Sequence, residues 1–125
     1  MKKSFSSNSQ VCHVWAQQKQ DEGYTKNVFF RGTRIYSYGF HFLAANIVEH
    51  KGKKICLINS KRYSPSTGQH LNDIDSAVNG LYPIYYVPNP ESIDASENVN
   101  YMISLVTETV FDLFSRSTVG RMEHV

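Results

Sequence analysis

Cysteine is nearly absent: Cys12 and Cys56 are the only two in 125 residues, far apart and in no metal-ligand spacing. That removes a disulfide framework and a clustered thiolate site, and leaves two buried thiols as the expectation. No apolar run approaches the roughly 20 residues needed to cross a bilayer. The opening Met1-Lys2-Lys3-Ser4-Phe5-Ser6 is basic, but no apolar segment follows it. No secretion signal is read there, and a cytoplasmic location is expected. Glycine-rich phosphate loops, dinucleotide fingerprints and Walker sequences are all missing. So are the close histidine pairs, His-x-His or His-x-x-x-His, that make a metal site legible. The motifs imply no cofactor and no metal.

What is present suits one folded domain. Hydrophobic residues make up 41% and charged residues 19%, a globular balance, and eight Tyr with seven Phe favour β structure. Charge is unevenly spread. Residues 1–63 carry eleven Lys/Arg against three Asp/Glu, and residues 64–125 carry two against eight. A balance of +8 beside one of −6 either attracts within the fold or steers an anionic partner.

Residues 1–10 are rich in Ser, Asn and Lys and read as flexible. Val11–Ala16 suits a first strand or a short helix, and Gln17–Lys26 a loop. Asn27–Phe30 and Thr33–Tyr38 form a hairpin around Arg31-Gly32. Phe42–Val48 and Lys54–Ile58 form a second, turning at His50–Lys53. Ser66 and Gln69 match a capping box, and Leu71, Ile74, Ala77 and Val78 then share a helical face up to Asn79-Gly80. Tyr82–Val87 is a strand whose flanking Pro83 and Pro88 place it at an edge. Val99, Met102, Ile103, Val106, Val110, Leu113 and Phe114 form the stripe of an amphipathic helix capped at Ser96, with Glu97 at its positive end. The predicted fold is α+β: an antiparallel sheet of about five strands packed by two helices, the longer one C-terminal. Leu105 and Phe111 lie off the stripe, which points to a second buried face and to a homodimer through this helix.

The densest local signal is Tyr36-Ser37-Tyr38-Gly39-Phe40-His41-Phe42, four aromatics at strand spacing. With His13-Val14-Trp15-Ala16, Asn27-Val28-Phe29-Phe30, Ile35, Ala44, Tyr63-Ser64, Ser66-Thr67, His70 and Ala77, it resembles a small domain of uncharacterised function found in bacteriophage and mobile-element proteins. The resemblance spans residues 11–78 and leaves 79–125 as a strand-plus-helix extension. This chain has Leu43 where the pattern often has Pro, Ser66 where it has Thr, and Gln69 where it has Lys. The resemblance implies a viral or plasmid source, hence the host-cell cytoplasm, and implies no catalytic activity.

Two chemistries compete for the remaining residues. His13, His41 and His70 could serve a hydrolase or phosphodiesterase if the fold gathered them. Ser37 lies four residues from His41, about 13 Å apart on a straight strand, and Cys12 and His13 face opposite ways on one. Asp73 and Asp75 flank Ile74 and suit a solvated face. The binding reading has more material. Arg31, Arg34, Lys51, Lys53, Lys54, Lys61 and Arg62 sit near turns beside Tyr36, Tyr38 and Tyr63. Cations neutralise phosphates and exposed rings stack on unpaired bases. The expected partner is therefore nucleic acid, or a host protein that binds it. An alternative is mimicry of a host factor's ligand by the acidic half, through Asp94, Glu97, Glu108 and Asp112.

Overall fold

A computed structural model describes residues 2–61 and 64–123, with side chains through residue 115. The described elements run α1 (Asn8–Gln17), β1 (Glu22–Tyr24), β2 (Val28–Arg31), β3 (Arg34–Ser37), β4 (Leu43–His50), β5 (Lys53–Asn59), α2 (Pro65–Val78), β6 (Ile84–Val87) and α3 (Ser96–Glu123). The fold is α+β, with one six-stranded sheet in sequence order and the longest helix C-terminal. β1 to β5 form an antiparallel meander, and β6 joins β5 in parallel. The sheet is mixed because α2 carries the chain back to the starting end before β6 begins, as a parallel pair requires. The Pro-flanked strand β6 lies at the edge.

Of the two states left open for Val11–Ala16 the helix forms, while three other local expectations change, the first being that Glu22–Tyr24 of the expected loop is strand β1. Val11–Ala16 is helical, because Ser7 caps the turn by accepting the Gln10 N–H at 3.1 Å. Residues 2–7, read as flexible, run beside β1, with Phe5 N–H donating to the Tyr24 carbonyl at 2.9 Å. α2 starts two residues before the predicted box. Ser64 is the cap, receiving the Thr67 N–H at 3.1 Å, and Pro65 suits the first turn, where its missing N–H costs nothing.

One face of the sheet is covered by α1 and α2. Val11, Cys12, Trp15 and Ala16 of α1 meet Val28, Phe30, Ile35, Ile47, Cys56 and Ile58 of the sheet and Leu71, Ile74 and Val78 of α2. Trp15 Nε1 donates to the Thr33 carbonyl at 2.9 Å, tying α1 to the β2–β3 turn. The other face is covered over β4 to β6 alone. There Ile55, Leu57 and Val87, flanked by Val48 of β4, pack under Ile93 and Met102. Asn46 Nδ2 donates to the Pro90 and Glu91 carbonyls at 2.9 and 3.1 Å, and Arg34 pairs with Glu91 at 3.2 Å.

Among the described residues, α3 meets this body through its first turns. Asn98 is wholly buried and Met102 half-buried, while every residue from 103 to 114 is exposed. The apolar stripe read from sequence is real, but of its residues Met102 packs on the sheet and Ile103, Val106, Val110, Leu113 and Phe114 are exposed. Asn98 fixes the segment before it: its Oδ1 accepts the Asn89 N–H at 2.8 Å, and its Nδ2 donates to the Asn89 and Ser92 carbonyls. Asn98→Ala strands these buried partners. It should lower unfolding free energy by about 2 kcal/mol, read as a lower urea midpoint at unchanged slope.

Candidate functional site

The Tyr36–Phe42 run does not continue as a strand. β3 ends at Ser37, and Tyr38 and Gly39 adopt φ of +61° and +130°. The first is a left-handed conformation that a bulky side chain rarely takes, and the second suits glycine. Hydrogen bonds fix the turn: Tyr38 N–H donates to the Asn27 carbonyl at 2.8 Å and Ser37 N–H to the Phe42 carbonyl at 3.2 Å. The four rings therefore part company. Phe42 enters the helix-side core, Tyr36 is buried at 9% exposure, and Tyr38 and Phe40 are exposed.

On the sheet face away from α1 and α2, cross-strand register aligns Tyr24 with Phe29 and Phe29 with Tyr36. Phe29 and Tyr36 stack with centroids 5.1 Å apart, and Phe40 folds back over both, edge-on, at 4.9 and 5.2 Å. The Arg31 guanidinium lies 4.9 Å from the Phe40 centroid. The accessible rings of this strip are Tyr24, at 51% exposure, and Phe40, at 59%. A cleft of about 320 Å³ opens between them, with Thr25 and Arg31 on its wall.

The cations expected to act together divide. Thr33 O accepts the Ile47 N–H, so the β2–β3 turn with Arg31 and Arg34 lies at the end of the sheet toward which the β4–β5 hairpin projects. The exposed Lys51, Lys53 and Lys54 sit at that hairpin's tip, roughly 13 Å beyond Arg34 at about 3.3 Å per residue. Arg34 is engaged with Glu91, and Lys54 is registered opposite Glu49. Lys61 is exposed after β5, at the opposite end. Arg62 and Tyr63 lie outside the described residues. Tyr36 is covered by Phe40, and Tyr38 sits against His70, 5.0 Å between ring centroids. Neither belongs to the open strip.

The histidines occupy three places. His13 is exposed on α1 and lines a shallow depression with Phe5 and Ser9. His41 is exposed in the turn, against Gly39. His70 is buried on α2, where its Nδ1 shares a 2.7 Å hydrogen bond with Ser37 Oγ. Among the described residues, no three His, Cys, Asp or Glu side chains are placed to hold one metal ion. Ser37 thus has an imidazole partner, but from α2 and not from His41. Both groups are buried, Ser37 at 1% exposure and His70 at 3%, so the pair joins β3 to α2 away from solvent. Cys12 and Cys56 are free thiols in the core, and burial pushes each thiol pKa up to about 12, far from the reactive thiolate range. In the acidic half Asp94, Glu97, Glu108 and Asp112 are exposed.

Sequence reasoning missed Tyr24 and Phe40 as the open rings, and the pairing of Ser37 with His70. Gly39 was the available signal for the first: a glycine after Tyr38 marks a break in the alternation. The second joins residues 33 apart and has no local signature.

Burial lowers the His70 imidazole below its ordinary value of 6.5, against a smaller opposing pull from Asp73. The folded state therefore holds His70 neutral where the unfolded chain already binds a proton. Stability is present above the unfolded value and is lost as pH falls below it. The urea midpoint should drop as pH is taken from about 7 to about 5, and His70→Gln should flatten that part of the profile.

Comparison with protein-family models, with curated proteins and with solved structures returned no match.

Proposed function

We propose that this chain is a small non-enzymatic accessory protein of a phage or mobile element that binds nucleic acid. The source rests on the Tyr-Ser-Tyr-Gly-x-His-Phe resemblance. The binding reading rests on one observation: the uncovered strip over β1 to β3 presents Phe40 under the Arg31 guanidinium, with Tyr24 across an open cleft. Exposed rings beside cations are how sheets hold unpaired bases, with stacking supplying contact and cations neutralising phosphate. The lysine tip of β4–β5 extends the positive charge from the same end of the sheet. Single strands suit this surface better than duplex, because stacking needs a base free of its partner.

Fluorescence anisotropy with single-stranded DNA, single-stranded RNA and duplex across salt tests the reading. Binding should favour single strands. Phe40→Ala should weaken it by about 5- to 100-fold, the range expected for one lost base stack. Changing Lys51, Lys53 and Lys54 to Ala should make the salt dependence shallower by about 2, at about 0.7 per phosphate contact on a single strand. Binding no tighter than that of a neutral control protein at low salt would refute the proposal.

A further inference from the structure

The cleft beside Phe40 holds two opposite charges that do not pair with each other. Glu22 and Arg31 stand opposite across β1 and β2, on the same side of the sheet as Tyr24 and Phe29. Directly opposed side chains on neighbouring strands have Cβ atoms about 4.5–5.5 Å apart, close enough for opposite charges to join. Each is drawn elsewhere. Glu22 Oε1 accepts from Lys3 Nζ at 2.7 Å, in the segment that runs along the outer edge of β1. The Arg31 guanidinium lies over Phe40, which rests on Phe29 and Tyr36. Among the described residues Glu22 and Arg31 form no ion pair with one another. Both line the cleft together with Tyr24 and Phe40.

The bonding capacity left on each side defines the ligand. The approach of Arg31 to Phe40 uses no hydrogen bond, so the guanidinium keeps a fork of donors that suits two adjacent acceptors. Glu22 takes Lys3 on one oxygen, and that bond together with the lysine's charge holds its carboxyl below the ordinary carboxylate range. At neutral pH it is therefore an acceptor, and suits adjacent donors. A carboxylate here repels phosphate, so its fitting partner is the edge of a base. Guanine is the base with both patterns: N7 and O6 for a guanidinium, N1–H and the N2 amino group for a carboxylate. Adenine and cytosine bring one amino group and thymine one imide N–H, which leaves the carboxylate half matched.

We propose that the cleft selects guanine, a specificity that rests on the single-strand binding proposed above, with Arg31 donating to O6 and N7 and Glu22 accepting from N1–H and the N2 amino group. Anisotropy at low salt with oligothymidylate carrying one central guanine, adenine, cytosine or thymine should rank guanine first by about 5- to 100-fold, the range for bidentate base contacts. Inosine, which lacks the N2 amino group, and 7-deazaguanine, which lacks the N7 acceptor, should each lose part of that advantage. Glu22→Gln should remove most of the difference between guanine and inosine and leave the all-thymine strand bound as before. Its far-UV spectrum should match wild type, since the fold loses only an exposed pair with Lys3. Free GMP lacks the flanking phosphates and should displace the labelled strand only at concentrations at least about 100-fold above those at which the unlabelled strand does. Equal affinity for the four strands would overturn the guanine assignment and leave single-strand binding standing, whereas binding to none of them would overturn both. A guanine preference unchanged in Glu22→Gln, or displacement by GMP as readily as by the strand, would also overturn the assignment.

Discussion

The two long strands β4 and β5 are apolar on both sides, and the remainder of the molecule is arranged around that demand. Leu43 to Ile47 are buried without interruption, and so are Ile55 to Asn59. A strand pair of this kind needs two covers. α1 and α2 provide one. The chain following β6 provides the other, with Ile93 and Met102 over Ile55, Leu57 and Val87, and it is held by Asn46 and Arg34 gripping Pro90 and Glu91. Beyond β4 that cover touches only Arg34, at the start of β3, among the described residues. Over β2 and β3 the sheet must close its own surface, and it does so with the Phe29–Tyr36 stack under Phe40. After its first turns α3 has no sheet left to cover.

Local rules explain which features were legible beforehand. Both hairpins, the end of α2 at Asn79-Gly80, the edge position of β6 and the existence of α3 follow from turn residues, prolines and periodicity. β1 was hidden because a three-residue strand containing Gly23 has no pattern to read. α1 was ambiguous because six apolar residues suit either state, and Ser7, which caps it, lies in a stretch whose composition suggests disorder. The α3 stripe shows the limit of periodicity most clearly. Repetition at three and four residues establishes that a face is apolar, and says nothing about which surface meets it.

The candidate site was less legible, and two consecutive positive φ angles are the reason. Alternation assigns Tyr36, Tyr38, Phe40 and Phe42 to a common side only while the strand persists. With Tyr38 left-handed and Gly39 at φ +130°, the chain reverses, and the rings divide, Tyr36 and Phe40 to the outer face, Tyr38 to His70 and Phe42 to the core. The motif then has an architectural account. Tyr36 stacks on Phe29, Ser37 bonds His70, Tyr38 lies against the same imidazole, Gly39 permits the reversal, Phe40 caps the outer rings and Phe42 fills the core. Specific local sequence is thus accounted for by packing, and the residues left over for a partner are those the packing does not consume.

Those leftovers carry the charge asymmetry to the surface. Arg34–Glu91 joins the basic and acidic halves, but both side chains are about half exposed, at 42% and 53%, and such a pair contributes at most about 1 kcal/mol. That pair is therefore a minor source of stability. The imbalance is instead expressed in space. Lys51, Lys53 and Lys54 stand at the tip of one hairpin, while Glu108 and Asp112 ride on the outer side of α3. At physiological salt, fields fade over about 8 Å, so a polyanion near the hairpin feels the lysines and little of the helix. The same polyanion is repelled wherever it approaches the acidic side of α3. Segregation of this kind draws a polyanion toward the end of the sheet that carries Arg31 and the lysine tip of β4–β5, without any contact between the two charged regions.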